Sequence, residues 1–492
     1  MTRNPAEKFS AIIIILTAGL LLLAARGDLW LDEIWSVRFA TAARHPWDIF
    51  RFTHDNNHIL NTLYLYLIGK QPFFIVYRLL SISTAIGALI VTGRIATRQW
   101  GAVEGILVLI LTGTAFPFIL YGSEARGYAP VLFFTVATVA TLQPALKHAC
   151  HPDGGQTHPL KPYELTTRVT VFWVLSIFGI LSHATFIMVL VAFLSYALFQ
   201  ILIWPMAGND LTGIIRPIMA CIIFFSVPVI FLIFFYFLFL HHMVLGGGPV
   251  YKTGMVIGRA AAMLLGLPDT GFFRSTALAV AGIIVITGTM VLYQQKNRLW
   301  VFFPVMLVIA PALVLVVTAP TYLYFRYFII CLPFFYLLLA RTLAVFYRFI
   351  AGKNPFAATA LVALVMALFI TGQTVRIIPL IVHGRGHYRA ALTEIAEQAA
   401  NLPVTIGSDH DFRNKLLIRF YADIEGLSGK LQYVDETAWE YAPPDWFIAH
   451  AQDRTATPRQ HVTIPRAGRF RLAATYDYGG ISGWRWFVYK RE

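Results

Sequence analysis

The chain has 492 residues, 58% of them hydrophobic, 15% aromatic and 13% charged, with a formal charge of +14 at pH 7. A soluble domain is usually about 25% charged, so the composition excludes a disordered chain, a collagen-like chain and an ordinary cytosolic enzyme. Long apolar runs recur from Phe9 to Ile378, the pattern of a polytopic α-helical membrane protein.

The excess charge has a location. Residues 1–380 hold 25 basic and 12 acidic side chains, whereas 381–492 hold 14 and 13. The basicity belongs to the apolar part, which fits anionic lipid head groups or a lipid phosphate. No soluble segment is strongly basic, so nucleic acid is not an expected partner. Cys221 and Cys331 lie inside apolar runs and Cys150 in a polar loop, which implies neither a disulfide framework nor a metal spacing.

In chain order, the expected spans are roughly 9–25, 73–93, 103–120, 128–143, 169–184, 186–204, 217–240, 276–293, 299–318, 322–345 and 356–378, about eleven in all. Each is near the ~20 residues that a bilayer demands. The first follows Arg3 and Lys8 like a signal peptide, but no clear cleavage pattern follows, so it reads as an uncleaved span. His58 to Ile68 is apolar but short and reads as an interfacial segment. Residues 151–162 form a His, Pro and Gly rich connector.

Arg94, Arg98, Lys147, Lys161, Arg168, Arg216, Lys296, Arg298, Arg341, Arg348 and Lys353 fall in inner loops if the N-terminus is cytoplasmic. The outer side carries a similar basic count, because one segment, 26–78, holds six. An odd number of spans then leaves 381–492 outside. That tail reads as a small α/β domain. Helices are expected at Tyr388–Ala400 and Phe412–Tyr421, and strands at Val404–Gly407, Trp446–Ile448, Arg469–Tyr476 and Trp484–Tyr489. There is no internal repeat.

Half of the 12 carboxylates in 1–380 lie in two outer loops: Asp28, Asp32, Glu33, Asp48 and Asp55 in the first, and Glu124 in the second. Acids at a membrane edge are functional candidates by default. Asp32 and Glu33, flanked by Trp30 and Trp35, form a pair that could take a proton from a hydroxyl or help hold a divalent ion. They could equally be the acidic first turn of an interfacial helix. His54-Asp55-Asn56-Asn57-His58 places two histidines four apart, a spacing for a shared metal or phosphate; the alternative is a loop in which Asn57 caps the run from Ile59. In Tyr121-Gly-Ser-Glu-Ala-Arg-Gly-Tyr128, Arg126 could grip a phosphate, or pair with Glu124, or snorkel. Arg326-Tyr327, at the start of the tenth run, has no acid near it in sequence. His183, His241 and His242 are lone edge histidines, more often structural than functional.

An acidic pair after the first span, a His/Asn segment in the same loop, Ser-Glu-Ala-Arg-x-Tyr after the third and Arg-Tyr at a late span together resemble the GT-C membrane glycosyltransferases. The nearest branch is the bacterial relatives of protein O-mannosyltransferases and lipid A aminoarabinose transferases. The resemblance covers 1–380 in layout and is strongest at 28–58 and 121–128. It implies a GT-C-like transmembrane catalytic domain, 1–380, and a soluble extracytoplasmic domain, 381–492. It implies transfer of a sugar from a polyprenyl-phosphate donor to a glycan, lipid or protein acceptor outside the bacterial inner membrane, usually with inversion. Asp32 is then the general base, with Glu33 and Glu124 as its catalytic companions. His54, Asp55, His58, Arg126, Tyr128, Arg326 and Tyr327 are the substrate-binding candidates. Some relatives carry Asp where this chain has Glu124, and others Pro-Pro where it has Asn56 onward. A divalent metal could share the phosphate-neutralising role, but the sequence requires no cofactor. The competing readings are a lipid-linked sugar flippase or transporter, disfavoured because charges gather at one face without a repeat, and a non-catalytic membrane scaffold.

Overall fold

The computed structural model describes residues 5–150, 162–203, 211–399 and 403–492. The eleven apolar runs all appear as helices among these residues. Eight are long and apolar enough to cross a membrane: those within Pro5–Ala24, Leu79–Trp100, Tyr163–Ser182, Ile218–His242, Gly271–Gln294, Arg298–Thr318, Phe325–Ala351 and Pro355–Gln398. Their outward faces carry large apolar side chains such as Ile15, Ile230, Phe237 and Val316, as lipid contact requires. Tyr128–Cys150 and Phe186–Ile203 are two of the remaining runs. Cys150, read as a loop residue, closes the former helix. The expected connector at 151–162 lies outside the described residues except for Pro162.

Three departures from the sequence reading matter for the site. First, the run expected at 103–120 is two helices, Ala102–Gly113 and Phe116–Gly122, bent by 64°. Pro117 in the first turn cannot continue the first helix. The break frees the amide of Phe116 in an apolar interior, and the buried Gln373 side chain accepts from it at 2.8 Å. Second, the span expected from residue 73 begins at Leu79, because Arg78 is buried in protein rather than facing lipid. Third, Thr253–Leu265 forms a thirteen-residue helix that the sequence reading did not include.

Beyond His383 the chain builds a six-stranded mixed sheet. Its strands are β1 Val404–Ser408, β2 Leu431–Tyr433, β3 Trp446–Ala451, β4 His461–Ile464, β5 Gly468–Tyr476 and β6 Arg485–Arg491, in spatial order β2-β1-β3-β6-β5-β4. β1 is parallel to β2 and β3, and the β3-β6-β5-β4 half is antiparallel. Helices Tyr388–Gln398 and Asp411–Ile424 belong to the same unit. The expected helices and strands are present; β2 and β4, the short edge strands, were not expected.

The sheet unit is packed onto the first outer loop. Leu29, Trp30, Leu31 and Ile34 share one buried cluster with Ile406, Leu417, Ile448 and Trp486. Tyr421 Oη donates to the Leu29 carbonyl at 2.7 Å. Gly483 permits the closest approach: it has φ +102°, and a Cβ there would collide with the Arg385 backbone.

Candidate active site

The helix Leu31–Ala42 opens with Asp32 and Glu33 in its first turn. Successive helical residues point about 100° apart, so the two carboxylates leave in different directions. Glu33 is fully buried and accepts from Arg78 Nε at 2.7 Å and Nη2 at 2.6 Å, from the Ala125 amide at 2.8 Å and from the Trp30 amide at 3.2 Å. Arg78 spends its other donors on the carbonyls of Ala25, Gly27 and Asp28. Burial acts to raise the Glu33 pKa, but the charge and hydrogen bonds of Arg78, with Arg385 behind, win and hold it below the usual carboxylate range. Glu33 is therefore an ionised strut between the first loop and the Ser123–Arg126 turn.

Asp32 faces the other way. Its Oδ2 accepts from Arg126 Nη1 at 2.6 Å and Arg326 Nη1 at 3.3 Å. Arg126 Nη2 also donates to Asn56 Oδ1 at 2.6 Å, and Ser36 Oγ donates to the Asn56 carbonyl at 3.2 Å. The guanidinium of Arg126 lies 4.9 Å over Tyr128 and 5.7 Å from Trp30. Arg326, which lacked an acid in sequence, finds Asp32 across 294 residues and lies 4.5 Å over Tyr324.

The two histidines four apart do not lie on one face of a helix. Residues 54–57 form a turn, and the helix begins only at Ile59, so helical spacing does not apply. His54 stacks on Trp35 at 5.3 Å and pairs with Asp55 at 2.9 Å; Asp55 also accepts from the Gly246 amide at 3.1 Å. Burial would raise the Asp55 pKa, but His54 and that amide hold it low. His58 instead stacks on His183 at 4.9 Å, beside Tyr128, and Tyr327 lies 6.0 Å from His183. Burial and the Arg126 guanidinium hold His58 well below its ordinary value; burial, Arg126 and Arg326 push His183 down to about 3. Both rings are neutral near pH 7. Gly127 makes this packing possible, since a Cβ there would meet the Ser182 carbonyl and the His58 side chain. Asn57 is not the helix cap. His58 holds that position without a side-chain cap, and Asn57 Nδ2 donates to the carbonyls of Ile49 and Phe52.

Glu124 is brought close in sequence but not in chemistry. It is fully buried, 3.5 Å from Arg385 Nε. Burial raises its pKa despite Arg385, and Glu33 adds to the rise. Arg385 further donates to the carbonyls of Ala24, Leu120 and Ser123 and to Ser123 Oγ.

Asp32 lines a cavity of about 190 Å³ with Trp30, Tyr121, Arg259, Arg326, Arg413 and Trp484. Tyr121 and Phe325 also line an adjoining apolar groove of about 530 Å³, whose other walls include Leu264, Gly282, Pro311 and Phe335. The aromatic run Phe224–Phe239 does not line it. Neither Glu33 nor Glu124 reaches the cavity wall.

Arg78, Arg385 and Asn56 were missed as members of this assembly. The cluster of six basic residues in 26–78 was the available signal for Arg78. Arg385 fell beyond the expected domain boundary. Among the described residues, no three His, Cys, Asp or Glu side chains gather as a metal site. A cation beside Asp32 would face two guanidinium groups, so the residues present do not fit a metal there.

No family model matches the chain, and no curated protein is similar to it in sequence. Solved structures similar in fold include two of ArnT. ArnT from Cupriavidus metallidurans in the apo state superposes with a TM-score of 0.54 at 12% identity, over 99% of this chain and 98% of that one. ArnT from the same organism bound to undecaprenyl phosphate gives 0.51 at 11% identity, over 97% of each chain. The chain thus shares the fold of these ArnT structures, with its apolar helices and its C-terminal sheet unit.

Proposed function

We propose that the chain is a membrane glycosyltransferase that moves a sugar from a polyprenyl-phosphate donor to an acceptor at the extracytoplasmic face of a bacterial inner membrane. One observation carries this reading. A carboxylate held by two arginines sits on the wall of a polar cavity that shares Tyr121 and Phe325 with a neighbouring apolar groove. That is the shape a lipid-linked, phosphate-activated sugar requires: a dry slot for the tail and a cationic seat at its end. The basic inner loops support the orientation.

In this reading the donor phosphate draws Arg326 to itself. Arg326 is the longer and more exposed of the two contacts to Asp32. Asp32 is then open on one side and accepts the proton of the acceptor hydroxyl. The hydroxyl oxygen bonds to the anomeric carbon from the face opposite the phosphate. The carbon–oxygen bond to phosphate breaks, and the electron pair leaves with a phosphate monoester that Arg326 stabilises. Arg126, tied to Asn56, keeps Asp32 in place. Glu33 and Glu124 act through structure, by holding the loops that carry Asp32 and Arg126.

The test is to incubate the purified protein in lipid nanodiscs with a panel of undecaprenyl-phosphate sugars and glycan, lipid and peptide acceptors. Acceptor-dependent consumption of donor is expected. Asp32→Asn should retain donor binding and lose consumption; full turnover by that variant would overturn the mechanism.

A further inference from the structure

The cavity has a second wall, built by the sheet unit. Arg413 sits in the first turn of Asp411–Ile424 and lines both the Asp32 cavity and its outer mouth, where Gly247, Pro249, His410, Phe412 and Gln452 complete the rim. Its guanidinium is aimed by a directed chain of hydrogen bonds. Arg413 Nη1 lies 2.9 Å from His450 Nε2. A guanidinium can only donate, so Nε2 accepts and the ring proton is on Nδ1. That Nδ1 is 2.8 Å from Asp409 Oδ1, and Asp409 Oδ2 accepts the His450 amide at 2.9 Å. Trp484 packs on both, 5.5 Å from the Arg413 guanidinium and 5.6 Å from the His450 ring. No carboxylate lies within ion-pair distance of Arg413 among the described residues, unlike Arg126, Arg326 and Arg385. A cation fixed in position and left without an anion is poised for one from outside.

The placement identifies which substrate supplies that anion. The apolar groove meets the cavity at Tyr121 and Phe325, beside Arg326. Arg413 lines the mouth on the side of the sheet unit, away from the groove residues. Of the three arginines that line the cavity, Arg326 is paired with Asp32 and Arg259 with Asp269, which leaves Arg413 as the cation there without a carboxylate among the described residues.

We propose that Arg413, positioned by His450 and Asp409, forms an oxyanion subsite for the acceptor, which therefore bears a phosphate or carboxylate near its reacting hydroxyl. This rests on the transfer reading for the word acceptor; the subsite itself does not depend on it.

Two binding probes separate the cases: glucose 6-phosphate for the subsite and undecaprenyl phosphate for the donor seat, both with the full-length protein in nanodiscs. Arg413→Ala should weaken glucose 6-phosphate at least tenfold and leave undecaprenyl phosphate within twofold. Arg326→Ala should do the reverse. His450→Leu should weaken glucose 6-phosphate severalfold, and His450→Gln, whose amide oxygen can still accept from Arg413, should recover most of it. The thermal midpoint reports the fold of each variant, with retained undecaprenyl phosphate binding for the Arg413 and His450 variants and retained glucose 6-phosphate binding for Arg326→Ala; Arg413→Gln serves if Arg413→Ala does not fold. Equal weakening of both probes by Arg413→Ala would assign Arg413 to the donor and overturn the proposal. So would wild-type protein that does not bind glucose 6-phosphate, or variants that bind it unchanged. A protein that binds both probes yet transfers no sugar would overturn the enzyme and leave the subsite standing.

Discussion

Asp32 and Glu33 are adjacent in the chain and answer to different arginines: Glu33 to Arg78 in the sealed interior, Asp32 to Arg126 and Arg326 at a cavity wall. The division follows from helical geometry, which turns neighbouring side chains apart. It gives two equal charges unequal work.

Substitution should separate those tasks. Glu33→Gln leaves Arg78 buried without its counter-charge, and breaking such a pair costs about 3–5 kcal/mol. A large fall in thermal midpoint is expected, read by unfolding in detergent. Asp32→Asn also strips the buried Arg126 of a counter-charge, but its carboxylate lines the cavity, so it should lower the midpoint less than Glu33→Gln and lower kcat by roughly 10²–10⁴-fold, the range for loss of a general base.

Arg326→Ala should raise the donor KM. A hydrogen bond to a charged group contributes about 1.5–3 kcal/mol, which is roughly 10–100-fold. Arg326→Lys should recover little, because an ammonium cannot grip a phosphate bidentately as the planar guanidinium fork does. Steady-state kinetics with varied donor checks both.

The apolar groove offers a steric test. Nothing lies within 4 Å of a Cβ built on Gly282, and this residue lines the groove. Gly282→Phe should fill the tail slot and weaken undecaprenyl phosphate binding at least tenfold, without lowering the thermal midpoint. Unchanged affinity would place the tail elsewhere.

The histidine stack predicts a pH dependence of stability. His183 titrates at about 3 in the fold against 6.5 for an unperturbed ring. Between those values the unfolded chain binds the extra proton, so its stabilising contribution is whole above pH 6.5 and lost as pH falls. His58 acts in the same direction. The raised Glu124 acts oppositely, its contribution weakening as pH climbs. The readout is therefore a difference: the midpoint of His183→Phe should drop less than that of wild type between pH 7 and 5.

The sequence spoke clearly where physics is local. Apolar runs of bilayer length marked the helices, and alternation marked the inner strands of the sheet. The Asp32 and Arg126 loops were visible because charge near lipid is costly. Arg78 was hidden by an apolar neighbourhood that hydropathy reads as lipid-facing. The partners of Glu33, Asp32 and Glu124 lie 45, 94 and 261 residues away, and nothing in one sequence encodes a pairing at that range. Helical spacing misled at His54 and His58 because it presumes a helix that begins one residue later. The bend before Phe116 needed Gln373, 257 positions on, to be tolerable.

The hydrogen bonds from Arg385 to Ala24, Leu120 and Ser123 also bear on biogenesis. The ribosome adds this residue only after every apolar helix has been synthesised. Until then Glu124 lacks its counter-ion and the ends of the first and third spans lack their clasp. A chain truncated before position 385 would lack that clasp and leave Glu124 without its counter-ion. Completion of synthesis, rather than insertion, is the moment at which this molecule acquires a finished rim around the Asp32 cavity.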